Sequence, residues 1–187
     1  MGDSKQKLSQ LTVLLHWLVA ITVIVMLAVG IYMEENEIRS LVSTHKSVGI
    51  LIFGVILLRV VWRLYNGWPE PVSQYSKIEQ NLSRACHYVL ITGTVLMPLS
   101  GMAMSGAGGH GLIVFGVELL AQNTDPVTGK AIPLNASIAK LGHESHGVIG
   151  YIMILALLLH IAGAFKHHLI DKDGTLKRML GKTVSTQ

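Results

Sequence analysis

The sequence is poor in charge, in cysteine and in aromatic rings. Only 14% of its 187 residues are Asp, Glu, Lys or Arg, against about a quarter in a soluble domain. Half of the chain is apolar and the mean hydropathy is +0.50, so something other than water must solvate the excess. Aromatics make up 6%, which argues against a soluble core filled by large rings. Cys86 is the single cysteine. It excludes an intrachain disulfide, and with no C-x-x-C-H motif it excludes a thioether-linked cofactor. No H-E-x-x-H or paired-Cys zinc motif is present. The net charge is +4, but the basic residues flank apolar runs and form no stripe interleaved with aromatics, so no nucleic-acid partner is expected. No internal repeat or low-complexity tail stands out. What the chain has in excess is histidine, nine in all.

About 20 apolar residues cross a bilayer as a helix. Residues 11–33 meet that test, interrupted only by His16. Further spans are expected at 45–62, which contains Lys46 and Arg59, at 85–104 and at 145–165. The first run resembles a signal peptide but is too long and lacks a clear small-residue cleavage site, so it reads as a retained helix. The expected fold is all-α: a single integral-membrane four-helix bundle, residues 1–187, in which 166–187 form a C-terminal tail. Lys5, Lys7, Arg59, Arg63, Lys77, Arg84 and the tail residues Lys166, Lys172, Lys177, Arg178 and Lys182 fall on one side. Only Arg39, Lys46, Lys130 and Lys140 fall on the other. Positive charge stays in the cytoplasm, which predicts cytoplasmic N and C termini.

Ionisable side chains inside a membrane are costly and mark function by default. His146 and His160 lie fourteen residues apart in the fourth span, nearly four turns, so both rings leave one face about 21 Å apart along the axis. The same interval separates His16 from Gly30, His45 from Arg59 and His87 from Gly101. Because alternate spans run in opposite directions, the features sort into two levels. His16, Arg59, His87 and His160 form an inner level; Gly30, His45, Gly101 and His146 form an outer one.

Two imidazoles give a six-coordinate haem iron suited to electron transfer, and bundles build such sites from side chains on facing helices. The pattern therefore points to two b-type haems stacked across the membrane. Gly30, Gly49 and Gly101 would let a flat macrocycle approach the backbone, and Arg59 would pair with a propionate. The blander alternatives are a histidine that hydrogen-bonds across helices, glycines that serve helix packing and an Arg59 that snorkels to the interface. Zinc needs ligands converging on one point, which the spacing of His146 and His160 forbids. His143 is read as a surface group or a neighbour of the ligands, and His110 as a loop residue. His167, seven residues after His160, lies on nearly the same face and is placed near the inner haem edge or a quinone.

These residues resemble the bacterial cytochrome b561 family. The matching elements are His16–Trp17, the run HKSVG from His45, LLR ending at Arg59, His87 followed by Pro98 and Gly101, and KHHLIDKDGTLKRM from Lys166 to Met179. The resemblance covers nearly the whole chain. It implies that His16 and His160 hold the inner haem b on the cytoplasmic side, and that His45 and His146 hold the outer one. His87 then becomes a neighbour of the ligands or a quinone-side residue, although geometry alone leaves it open as an inner ligand. The family implies a multi-pass protein of the bacterial inner membrane, embedded in lipid, that exchanges electrons with ubiquinone. Some members are similar to superoxide oxidases, with superoxide or a periplasmic redox protein as the outer partner. The alternative is a cytochrome b subunit anchoring a hydrogenase or dehydrogenase, docked through residues 105–140.

Overall fold

The computed structural model describes residues 2–185. Four long helices dominate: α1 (Gln10–Glu35), α2 (Val42–Asn66), α3 (Lys77–Ala107) and α4 (Ala136–Phe165). All four are long and apolar enough to cross a membrane. Between α3 and α4 lies a two-stranded antiparallel sheet, β1 (Leu112–Val114) and β2 (Val117–Leu120). After α4 the chain makes a π-helical turn, Lys166–Ile170, and ends in the short helix α5 (Thr175–Met179).

Capping explains why α3 and α4 outlast their apolar stretches. Ser76 accepts from the Glu79 N–H while the Glu79 carboxylate accepts from the Ser76 N–H, a capping box that starts α3 at Lys77. The Asn135 side chain accepts from the Ile138 N–H and starts α4. Pro98 lies inside α3 and removes the N–H that would have bonded the Thr94 carbonyl.

The interior is small, as expected where lipid solvates the outside. Val19, Ile52 and Ile56 form a buried cluster between α1 and α2. Large apolar side chains such as Leu14, Val61, Leu64 and Leu155 point outward. Helices in lipid gain little from hiding apolar surface, so close backbone packing at small residues holds them together. α3 and α4 show this most clearly. Gly93 faces the Met153 side chain, and Gly142 lies directly against the backbone of α3.

The two termini gather at one end of the bundle. The buried Arg178 guanidinium donates to the carbonyls of Lys5 and Glu70, each at 2.9 Å. Trp17 donates its indole N–H to Met179 O at 2.8 Å, and the Val184 N–H reaches Gln6 O at 3.0 Å. The N-terminal segment, the α2–α3 connector and the C-terminal tail are thereby tied together beside the His16 end of the helices.

A Cβ on Gly142 would stand 2.6 Å from Met104 N and 2.9 Å from Ser100 O. Because backbone cannot rotate away, Gly142→Ala is expected to cost about 1–3 kcal/mol and to lower the thermal midpoint of helix loss in detergent. An unchanged midpoint would mean that α3 and α4 stand farther apart than described.

Candidate haem centres

The inner-level residues converge at the end of the bundle where the termini meet. The ring centroids of His16 (α1) and His160 (α4) are 6.3 Å apart, with planes inclined by 56°. His87 (α3) lies edge-on to His160 at 5.1 Å, and its Nδ1 is 2.6 Å from the Ser83 carbonyl one turn earlier. As the donor, that Nδ1–H leaves Nε2 as the acceptor nitrogen. Arg59 (α2) brings Nη2 to 3.4 Å from His16 Nδ1. This half-buried guanidinium has no acidic partner among the described residues.

The outer-level residues meet nearer the other end. The His45 (α2) and His146 (α4) centroids are 6.4 Å apart, inclined by 77°. His146 Nδ1 lies 3.0 Å from both the Met97 carbonyl and Ser100 Oγ. A Nδ1–H donated to that carbonyl fixes the tautomer and turns Nε2 inward. His45 Nδ1 is buried without a hydrogen-bond partner. A cavity between the two rings is lined by Met26, Gly49, Ile52, Thr94, Met97 and Met153 among others.

The glycines sit against these groups. A Cβ on Gly30 would stand 3.7 Å from His45 Cε1, and one on Gly101 would stand 3.2 Å from His146 Cε1. Gly49 faces the Met26 methyl at 3.6 Å. Gly101 therefore clears space for a histidine ring.

Outside the two levels, His110 offers its carbonyl to Lys46 at 3.3 Å, and His143 Nδ1 lies 3.4 Å from Met104 Sδ. The described contacts of His167 run to the C-terminal segment. Its Nδ1 is 2.9 Å from Asp171 Oδ2 and 3.1 Å from Asp173 Oδ2, and its ring stacks edge-on against Tyr75 at 4.8 Å. The π-turn widens the helical register just there. The Tyr75 hydroxyl donates to Asp173 Oδ2 at 2.6 Å. Sequence reading missed Tyr75 and Asp173, which are 98 residues apart and share no local motif. His167, Asp171 and Asp173 offer ligand atoms close enough to hold a metal ion, but Lys166 and Tyr75 already bond the same carboxylate oxygens of Asp171 and Asp173.

A family model described as prokaryotic cytochrome b561 matches residues 7–182. The chain belongs to that family. It is 32% identical to cytochrome b561 homolog 2 of Escherichia coli (strain K12) over 181 residues, covering 91% of this chain and 89% of the relative. It is 27% identical to cytochrome b561 homolog 1 of the same organism, covering 93% of this chain and 97% of the relative. It is 29% identical to a Yersinia pestis protein named probable superoxide oxidase CybB, covering 95% and 97%. The protein is thus an electron-transferring cytochrome of the bacterial inner membrane, from a family that binds haem b.

The residues present fit that cofactor. An imidazole nitrogen bonds a metal at about 2.0–2.1 Å, so two rings flanking one iron stand roughly 6 Å apart between centres. Both histidine pairs of the cytochrome have that separation. His45 Nδ1 is a buried polar atom without a partner, and the Arg59 guanidinium, in contact with His16, has no acidic partner among the described residues.

Burial, then the bond to the Asp173 carboxylate, pushes the Tyr75 hydroxyl up to about 12. Burial of Asp173 works against its ionisation, but the bonds from Tyr75 and the Thr175 N–H outweigh it and hold the carboxyl below its usual range. An unfolded tyrosine ionises near pH 10. The stabilisation from neutral Tyr75 is therefore complete below pH 10 and is lost as pH rises to about 12. In Asp173→Asn, the slope of stability against pH in that window should flatten, read by denaturant titration at stepped pH. An unaltered slope would detach Tyr75 from Asp173.

Proposed function

We propose that the cytochrome carries two haems b, one between His16 and His160 and one between His45 and His146, and that it passes electrons from a donor at the His45 end to ubiquinone at the His16 end. The observation that carries this reading is the pair of imidazole gaps, 6.3 and 6.4 Å, set at two levels of one apolar bundle. The haems, when bound, supply reversible one-electron chemistry. The clustering of basic residues at the His16 end supports its placement in the cytoplasm.

The chain's own residues have distinct tasks in this reading. Ser100 and the Met97 carbonyl orient His146. Gly30, Gly49 and Gly101 keep the outer level open for a planar group. Arg59, 3.4 Å from His16 Nδ1, would pair with a propionate through charge-assisted hydrogen bonds. His87, beside His160 and Trp68, and the chain His167–Asp173–Tyr75 stand at the quinone end. Quinone reduction consumes two protons, and these groups can pass them from water.

The donor proposed is superoxide, a reading supported by the name of the Yersinia pestis relative. Two superoxide anions lose one electron each to become dioxygen, and one ubiquinone gains two electrons and two protons to become ubiquinol. The test is stopped-flow mixing of superoxide with the purified protein and ubiquinone. Reduction of a low-spin b-type spectrum, followed by ubiquinol at half the superoxide consumed, is expected. His146→Ala should lose one haem, retain the other and lose entry of electrons from superoxide. A wild type that ignores superoxide but is reduced by a co-purifying hydrogenase or dehydrogenase would overturn the donor. A folded protein without a b-type spectrum would overturn the whole reading.

A further inference from the structure

We infer that the β1–β2 hairpin is a lipid-facing element, its tip seated at the boundary between headgroups and acyl chains beside the His45 end of α2. The depth of the tip comes from its anchors. Buried Ser47 donates its hydroxyl to the Ser43 carbonyl one turn earlier at 2.9 Å, accepts from the Phe115 N–H at 3.0 Å and lies 3.3 Å from the Ile113 carbonyl. Higher up, Lys46 Nζ holds the carbonyls of His110 and Gly111 at 3.3 and 3.2 Å, and Ser105 Oγ holds Gly111 O at 2.8 Å. The hairpin therefore descends along α2 from the end of α3.

Neighbouring contacts set the level of Ser47. His45 faces Gly30 and Gly49 faces Met26, so Ser47 stands between Gly30 and Met26 of α1. The first acidic residue of α1, Glu34, is then roughly 9 Å farther out at 1.5 Å per residue. The polar zone on each side of the hydrocarbon is about 5–8 Å deep, so the tip reaches the acyl boundary.

On one face of the hairpin the exposed side chains at that depth are apolar, while the exposed Glu118 leaves β2 on the other face. Phe115, Val117 and Leu119 are 63%, 63% and 60% exposed. The turn itself also points to lipid. Phe115 has φ +46° and Gly116 φ +90°, a pair of positions that favour Asn-Gly and disfavour a bulky ring. A phenylalanine held in this conformation, with its ring outside the protein, fits burial in acyl chains. Irregular backbone is tolerated near hydrocarbon only where its polar groups are satisfied. The Ser47 and Lys46 bonds supply this on the α2 side, while the open edge of β2 and Glu118 keep the hairpin at the boundary and out of the midplane.

Spin labels placed at Val117→Cys and Leu119→Cys in a Cys86→Ser background test this directly. The holoprotein is reconstituted into phosphatidylethanolamine–phosphatidylglycerol vesicles. A label at Val127→Cys, 91% exposed in the same connector, serves as the aqueous reference, and the haem spectrum checks folding. At 117 and 119, power saturation should show high access to oxygen and at least a threefold lower access to a water-soluble nickel chelate than at 127. Nickel access equal to that at 127 would place the hairpin in water and overturn the inference. Exclusion of both relaxants would mean that a second copy covers it, which also overturns it.

Discussion

An imidazole buried in an apolar bundle must find a partner for each ring nitrogen. A polar group taken out of water without a hydrogen bond costs on the order of 1–3 kcal/mol, and lipid offers no substitute. His16, His45, His146 and His160 are drawn into pairs under that constraint, each pair between helices that are not adjacent in sequence. The bundle satisfies some nitrogens itself, as with His146 against Met97 and Ser100, and leaves others facing across a gap of one metal ion's coordination. His45 Nδ1 is left buried without a partner, and Arg59 without an acid among the described residues.

The packing of the helices follows from the same need. α3 and α4 must come close enough for His146 to reach the α3 backbone, and glycine is placed where they touch: Gly101 at the His146 ring, Gly142 against Ser100 and Met104, and Gly93 against Met153. At the other end, Arg178 and Trp17 tie both chain ends and the α2–α3 connector into one block. That block brings Tyr75 and Asp173 to His167 as one hydrogen-bonded group at the end of α4.

The spans and the two levels were legible because hydropathy and the fourteen-residue interval are local signals. A helix of fixed pitch turns a sequence spacing into a shared face, which is why Gly30 meets His45 and Gly101 meets His146. The helices ran beyond the apolar stretches at Lys77 and Ala136 because caps, and not hydropathy, start them. In sequence Arg178 is one more cytoplasmic charge, whereas its burial under two backbone carbonyls depends on contacts across 108 and 173 residues. The Ser105–Lys140 connector read as a loop, whereas it contains a hairpin whose pinning to Ser47 has no signature in composition. Helical pitch alone places His167 toward the inner haem, whereas the π-turn that follows α4 gives its described contacts to Tyr75, Asp171 and Asp173.

The central claim is that imidazoles clamp an iron porphyrin at each of two depths. Quantifying protohaem as its pyridine complex against protein mass in the folded, purified wild type tests it most directly. A ratio of two per chain, resolved into two midpoint potentials on redox titration, is the predicted result. A saturated ratio of one, or a colourless folded protein, contradicts it.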